Sequence, residues 1–175
     1  MRTHGGDNGL TEAFGGARVS KASAGVRALG ELDELNAFLG AAVLALPDAC
    51  AGIRARLLAE QQFLFTVGGA FYTGCGAAVF AKVAEETRML GAESDALHEA
   101  AGAAFGFEPP GGNAASVALN IARAVCRRAE RSAAAFFEEK FPGSAPPEHD
   151  AALLAHLNRL SDYLYNAGRA ANACG

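Results

Sequence analysis

With 175 residues, 51% of them hydrophobic, the chain can bury the core of one domain without help from a metal or disulfides. Its net charge of −4 excludes a general nucleic-acid binder, whose basic footprint would show across the whole domain, so any basic site must be local. No apolar run approaches the roughly 20 residues of a membrane span, and Met1-Arg2-Thr3-His4-Gly5-Gly6-Asp7 lacks the apolar stretch of a secretory signal; a cytoplasmic protein with no membrane or nucleic-acid partner is expected.

Residues 1–29 come first and stand apart. Gly5, Gly6, Gly9, Gly15, Gly16 and Gly25 lie among polar residues, a composition that suits either a flexible tail or a loop approaching a ligand closely. Within it, Thr3-His4-Gly5-Gly6-Asp7-Asn8-Gly9-Leu10-Thr11 precedes Gly16-Ala17-Arg18-Val19-Ser20-Lys21, which puts backbone amides, hydroxyls and cations together as a phosphate cradle would. No Walker A spacing is present, so an ordinary polar loop fits these residues equally well.

The rest is rich in Ala and poor in β-branched residues, with apolar positions recurring every three or four residues. Five helices are predicted. The first covers 31–46, with Leu32, Leu35, Leu39 and Ala42 on one stripe, and stops at Pro47-Asp48. The second runs over 51–72 through Ile53, Leu57, Leu64 and Val67, and the third over 80–104, interrupted by Gly91 and crowded at its end by Gly102 and Gly106. Pro109-Pro110-Gly111-Gly112 precedes the fourth, which has Asn113 as its N-cap and extends to 140; 141–147 connects it to the fifth, over 150–172, with a seam of Leu153, Leu157, Leu160 and Leu164. No strand alternation stands out. The predicted fold is an all-α antiparallel five-helix bundle in a single domain, 1–175, with 1–29 as a glycine-rich segment and 30–175 as the bundle. Cys50, Cys75, Cys126 and Cys174 are scattered, which reads as reduced thiols rather than a zinc site or disulfide framework.

In the fourth helix Arg123, Arg127 and Arg131 fall at i, i+4 and i+8, stacking three guanidiniums on one face beside Arg128 and Glu130. Like charges at that spacing repel, so they call for carboxylates from another helix or subunit, or a bound polyphosphate. Glu31, Asp33 and Glu34 are available, although acids opening a helix also simply complement its dipole. In the fifth helix Asn158, Asp162 and Arg169 share a polar stripe, and Asn158 has donors and acceptors for a ribose or adenine edge.

Taken together, Asp33-Glu34-Leu35-Asn36, Pro110-Gly111-Gly112, Cys126-Arg127-Arg128-Ala129-Glu130-Arg131 and Leu157-Asn158-Arg159-Leu160-Ser161-Asp162 resemble the ATP:corrinoid adenosyltransferases of the propanediol-utilisation type, in the family's order and spacing. The resemblance covers nearly the whole chain. It implies an enzyme that transfers the 5′-deoxyadenosyl group of ATP, with Mg²⁺, to the cobalt of cobalamin. It also implies a homotrimer with both substrates bound where subunits meet, a reductase supplying Co(I), and a mutase or dehydratase receiving the adenosylcobalamin. By similarity, Thr3, His4, Gly6, Asp7, Gly9, Thr11 and Lys21 fold over ATP; Arg127, Glu130, Arg131 and Asn158 contact the nucleotide, Glu130 also by way of Mg²⁺. Asp33 and Arg123 match a salt bridge across the subunit interface, and Phe107 matches the aromatic that displaces the lower axial ligand of cobalt.

Some positions depart from the family. It has Lys at His4, an acid at Ser23, Arg at Gly25, His at Asn120 and Tyr at Leu29, and its segment between Phe65 and Phe107 is longer. A Lys-to-His change replaces a permanent cation with one largely neutral at pH 7. The alternative these departures allow is a member that binds corrinoid or nucleotide with little or no turnover, a carrier or sensor.

Overall fold

The computed structural model describes residues 5–12, 16–73, 76–102 and 109–173. Thr3, His4, Phe107, Cys75 and Cys174 lie outside them. Among the described residues there are five α-helices: α1 (Ala24–Ala45), α2 (Ala51–Thr73), α3 (Ala77–Ala100), α4 (Ala114–Lys140) and α5 (Glu148–Ala173). A 3₁₀ turn, Asp48–Cys50, joins α1 to α2.

α1 starts well before residue 31. Gly25 and Ala28 are buried two turns and one turn ahead of Leu32, so the apolar stripe Ala28, Leu32, Leu35, Leu39, Ala42 runs unbroken and packing outweighs the helix cost of Gly25 and Gly30. As a result Glu31, Asp33 and Glu34 sit in mid-helix and do not complement its dipole; the first turn holds no acid. α3 ends earlier than predicted, at Ala100, because Gly102 takes φ +74° and its N–H turns back to the Glu99 carbonyl at 3.2 Å. The sequence pattern also missed two strands. β1 (Leu10–Glu12) and β2 (Arg18–Ser20) pair antiparallel, Thr11 opposite Val19, and at three residues each they are too short to show alternation.

Side-chain contacts fix the helix directions. Asn36 and Gln61 exchange hydrogen bonds between α1 and α2, Arg128 of α4 reaches Glu31 and Glu34 of α1, and Asn113 and Cys126 of α4 meet Ala171 and Leu157 of α5. Each of these pairs runs antiparallel. α3 lies parallel to α5, since Thr87 meets His156 and Ser94 meets Asn166. α4 is central, packed on both α1 and α5, with α2 against α1 and α3 against α5. The core is a set of fully buried leucines that includes Leu35, Leu39, Leu57, Leu119 and the whole Leu153, Leu157, Leu160, Leu164 seam; each contributes about 1.5–3 kcal/mol through the area it removes from water.

Asn113 caps α4 as its position suggested. Its Oδ1 accepts from the Ser116 N–H at 2.9 Å while its Nδ2 donates to the Ala171 carbonyl at 2.7 Å, which ties the start of α4 to the end of α5. Gly112, just before it, has φ +94°, and a Cβ there would overlap the Asn172 carboxamide, whose Oδ1 accepts from the Asn113 N–H. Gly112→Ala should therefore cost about 1–3 kcal/mol in denaturant melts, whereas Gly111→Ala, which meets only the Pro109 carbonyl at 3.7 Å, should be near neutral; equal effects would refute the conformational argument.

Candidate functional site

The arginine row does not stay on one face. Each step of four residues on a helix of 3.6 residues per turn advances about 40°, so three arginines fan over roughly 80° of α4. At one end Arg123 faces α5, its guanidinium 5.9 Å from the Tyr165 ring centroid and its Nε buried without a partner. Arg127 is exposed, and with Arg123 it borders a groove of about 370 Å³ between α3, α4 and α5, whose other walls include Asp95, Arg159, Asp162 and Tyr165. At the far end Arg131 has turned toward α1, where it lines a second groove with Arg27, Arg128 and Ser132.

The acids of α1 do not answer the row. Glu31 and Glu34 both bind Arg128, one residue off it, with Arg128 Nε 2.5 Å from Glu31 Oε2. These bonds, to Glu31 first and then to Glu34, raise the Arg128 guanidinium further above its usual range. Arg128 is thus committed to holding α4 against α1. Asp33 lies apart from Arg123 within the chain: it is exposed beside Leu29, Leu32, Leu64 and Phe65, and Phe65 leaves 79% of its surface in solvent.

Between the two grooves Asn158 Nδ2 donates to Glu130 Oε1 at 3.4 Å, joining α5 to α4 at the middle of the strip. Asp162 is exposed on the same face of α5, paired with Arg159 at 3.6 Å, and Arg169 reaches the Gly102 carbonyl. The N-terminal residues gather into one hairpin. The Gly9 N–H donates to the Gly6 carbonyl at 3.3 Å and the Lys21 N–H to the Gly9 carbonyl at 2.9 Å, with Gly9 at φ +77°. Lys21 Nζ lies over Gly6, 3.0 Å from where a Cβ would stand, so the lysine packs closely on the hairpin backbone. Thr11 and Asp7 belong to the same hairpin, and Lys21-Ala22 leads into the groove lined by Arg131.

Cys126 carries no chemistry. Burial pushes its thiol up, and its Sγ–H donates to the Leu157 carbonyl at 3.2 Å. Among the described residues no three acids, histidines or cysteines come together as a metal cage. A lone half-buried carboxylate, Glu130, with one long hydrogen bond, suits Mg²⁺, which is commonly held by one or two carboxylates and substrate phosphates. Another groove, about 800 Å³ beside Ala55, Ala59, Met89 and Leu97, is lined by none of the strip residues.

Sequence reasoning did not single out Arg27 or Tyr165. Arg27 stands one helical turn before Glu31, so it joins the site only once α1 is extended back to Ala24. Tyr165, four residues beyond Ser161, was masked by the leucine seam.

Solved structures define the class of this bundle. It is similar, with a TM-score of 0.82, 28% identity and coverage of 98% of this chain and 93% of the other, to a single-residue variant of the PduO-type ATP:corrinoid adenosyltransferase from Lactobacillus reuteri complexed with cobalamin and ATP. Among curated proteins, it is 35% identical to the cobalamin adenosyltransferase of Cupriavidus metallidurans over 100% of this chain and 89% of that protein. It is also 35% identical to the corrinoid adenosyltransferase of Bacillus subtilis over 99% of this chain and 86% of that one. The family model described as cobalamin adenosyltransferase matches residues 1–171, and the chain belongs to that family. Among the described residues no helix is long and apolar enough to cross a membrane.

Proposed function

We propose that the chain transfers the 5′-deoxyadenosyl group of ATP to the Co(I) of a corrinoid, yielding adenosylcobalamin and triphosphate. The observation that carries this reading is the convergence, in a member of this family, of the glycine hairpin and the α4 strip of Arg127, Glu130 and Arg131, with Asn158 beside it. The chemistry balances without a proton transfer. The cobalt lone pair attacks C5′, the C5′–O bond breaks with its electrons leaving on triphosphate, and cobalt passes formally from Co(I) to Co(III) as the alkyl bond forms. No general base is needed, because no proton moves in the transfer. The protein's work is positioning, exclusion of water and neutralisation of the departing charge.

In this reading Arg127 grips the leaving triphosphate with its planar fork, Asn158 orients the nucleoside, and Thr3, His4, Gly6, Asp7, Gly9, Thr11 and Lys21 close over the phosphates. Glu130 would hold Mg²⁺, which when bound supplies further charge neutralisation. Phe107 displaces the lower axial ligand of the corrinoid, easing reduction of Co(II) by a reductase; an adenosylcobalamin-dependent mutase or dehydratase in the same cytoplasm takes the product. Incubation with cob(II)alamin, a strong reductant and Mg-ATP should produce the adenosylcobalamin spectrum, and its absence under every reductant would defeat the reading.

The functional unit is a homotrimer. Asp33 and Arg123 lie apart within the chain, with Arg123 Nε buried and unpartnered and a nearly bare Phe65 beside Asp33, as an intersubunit pair and its apolar surround would be left in one subunit. Asp33→Ala should shift sedimentation toward smaller species. An unchanged profile would remove this pair from the assembly.

A further inference from the structure

The groove between the start of α1 and the middle of α4 has a volume of about 430 Å³, and neither the family resemblance nor the strip reading gives Arg27 a role in it. Two separate features make it electropositive. Arg27 and Arg131 project into it from two helices, and among the described residues neither has an ion-pair or hydrogen-bonding partner for its guanidinium, whereas Arg128 beside them is taken up by Glu31 and Glu34. The N-terminus of α1 opens on the same groove at Ala24, with no side-chain cap and no acid in its first turn, so α1 itself supplies nothing to its free N–H groups and positive dipole end. Glu139 is the one acid in the lining; it lies two turns beyond Arg131 on α4, toward the start of α1 in this antiparallel pair.

An uncapped helix end and two unpaired guanidinium forks set around one cavity form a complementary surface for a chain of phosphates, with several negative oxygens in a row, rather than for a single carboxylate. The hairpin's Lys21-Ala22 runs directly into it, so a nucleotide covered by the hairpin would point its polyphosphate this way.

We propose that Arg27 and Arg131 clamp a polyphosphate in this groove, and that Arg27 is a binding residue for the triphosphate of ATP and for the triphosphate product. The identity of the polyphosphate rests on the adenosyl-transfer reading; the groove's preference for a polyanion does not. Arg27 strengthens the hold on ATP and slows product release without touching the cobalt or C5′.

Calorimetric titration of the full chain with inorganic tripolyphosphate should show one site per chain, weakened by added salt. Arg27→Ala should weaken it about tenfold, and Arg27→Lys should restore most of the loss, since it keeps the charge though not the fork. In the adenosylation assay Arg27→Ala should raise KM for ATP and the inhibition constant of tripolyphosphate by about the same factor, leaving kcat within about twofold. A melting curve superimposing on wild type keeps the loss from being one of folding; if the Ala variant is unfolded, Arg27→Gln serves instead. No heat with the wild-type chain, or equal affinities for wild type and Arg27→Ala, overturns the inference even where turnover is intact. Arg27-dependent tripolyphosphate binding without any adenosylcobalamin formation would uphold the groove and sink the activity instead.

Discussion

Replacing Arg127 by Ala is expected to lower adenosyl transfer at least about a hundredfold while leaving the melting curve essentially unchanged. The two halves of that expectation have separate causes. Arg127 is exposed, and it stands one turn from both Arg123 and Arg131, so removing it deletes a like-charge repulsion and no core contact; stability should move by no more than about 0.5 kcal/mol, and upward if at all. Its catalytic weight comes from the charge that builds on triphosphate as the C5′–O bond breaks, so the loss should fall on kcat more than on KM for ATP. Arg127→Lys should recover only part of the rate, because an ammonium neutralises charge without matching two phosphate oxygens at once. Single-turnover spectra of adenosylcobalamin formation measure this directly. Full activity in the Ala variant would move the leaving-group contact elsewhere on the strip and leave Arg127 as solvated surface.

The helices were legible because their stripes are long and regular; Leu153, Leu157, Leu160 and Leu164 specify both an element and the face it buries. The helix ends were less so. Gly25 and Gly30 argue locally against a helix that burial of Ala28 and Leu32 then enforces, and a three-residue strand carries too little pattern to register. At the site, sequence spacing put arginines and acids on neighbouring helices, but it did not show which of them meet within the chain. Glu31 and Glu34 reach Arg128, because the four-residue repeat of Arg123, Arg127 and Arg131 drifts around α4 and only Arg128 faces α1 at that height. Which member of a row meets a neighbouring helix depends on helix rotation, and no residue in the row encodes that by itself.

One buried pair interrupts the leucine stripes of α2 and α5. Glu60 lies between Leu57 and Leu64, and His156 between Leu153 and Leu160, each at a spacing that belongs to the core, and both are fully buried. His156 Nε2 stands 2.6 Å from Glu60 Oε1, and its ring lies against Phe63 with centroids 4.5 Å apart. The Thr87 hydroxyl donates to the Val83 carbonyl at 2.7 Å, so at 3.1 Å it must accept from the His156 Nδ1–H, which fixes the ring's orientation and leaves Nε2 for Glu60. His156→Leu strands the Glu60 carboxyl in a core where its Oε2 already has no partner, and should cost about 3–5 kcal/mol, a large share of the 5–15 kcal/mol that holds a domain together. Glu60→Gln keeps a hydrogen bond, since its amide can donate to Nε2, and should cost far less, about 1 kcal/mol. Combining Glu60→Leu with His156→Leu should destabilise by at least about 2 kcal/mol less than the sum of the two single changes, because each single variant leaves a buried polar group that the double variant removes. Chemical denaturation of the four proteins supplies the cycle, and additive costs would show that the two side chains, though in contact, contribute independently to the core.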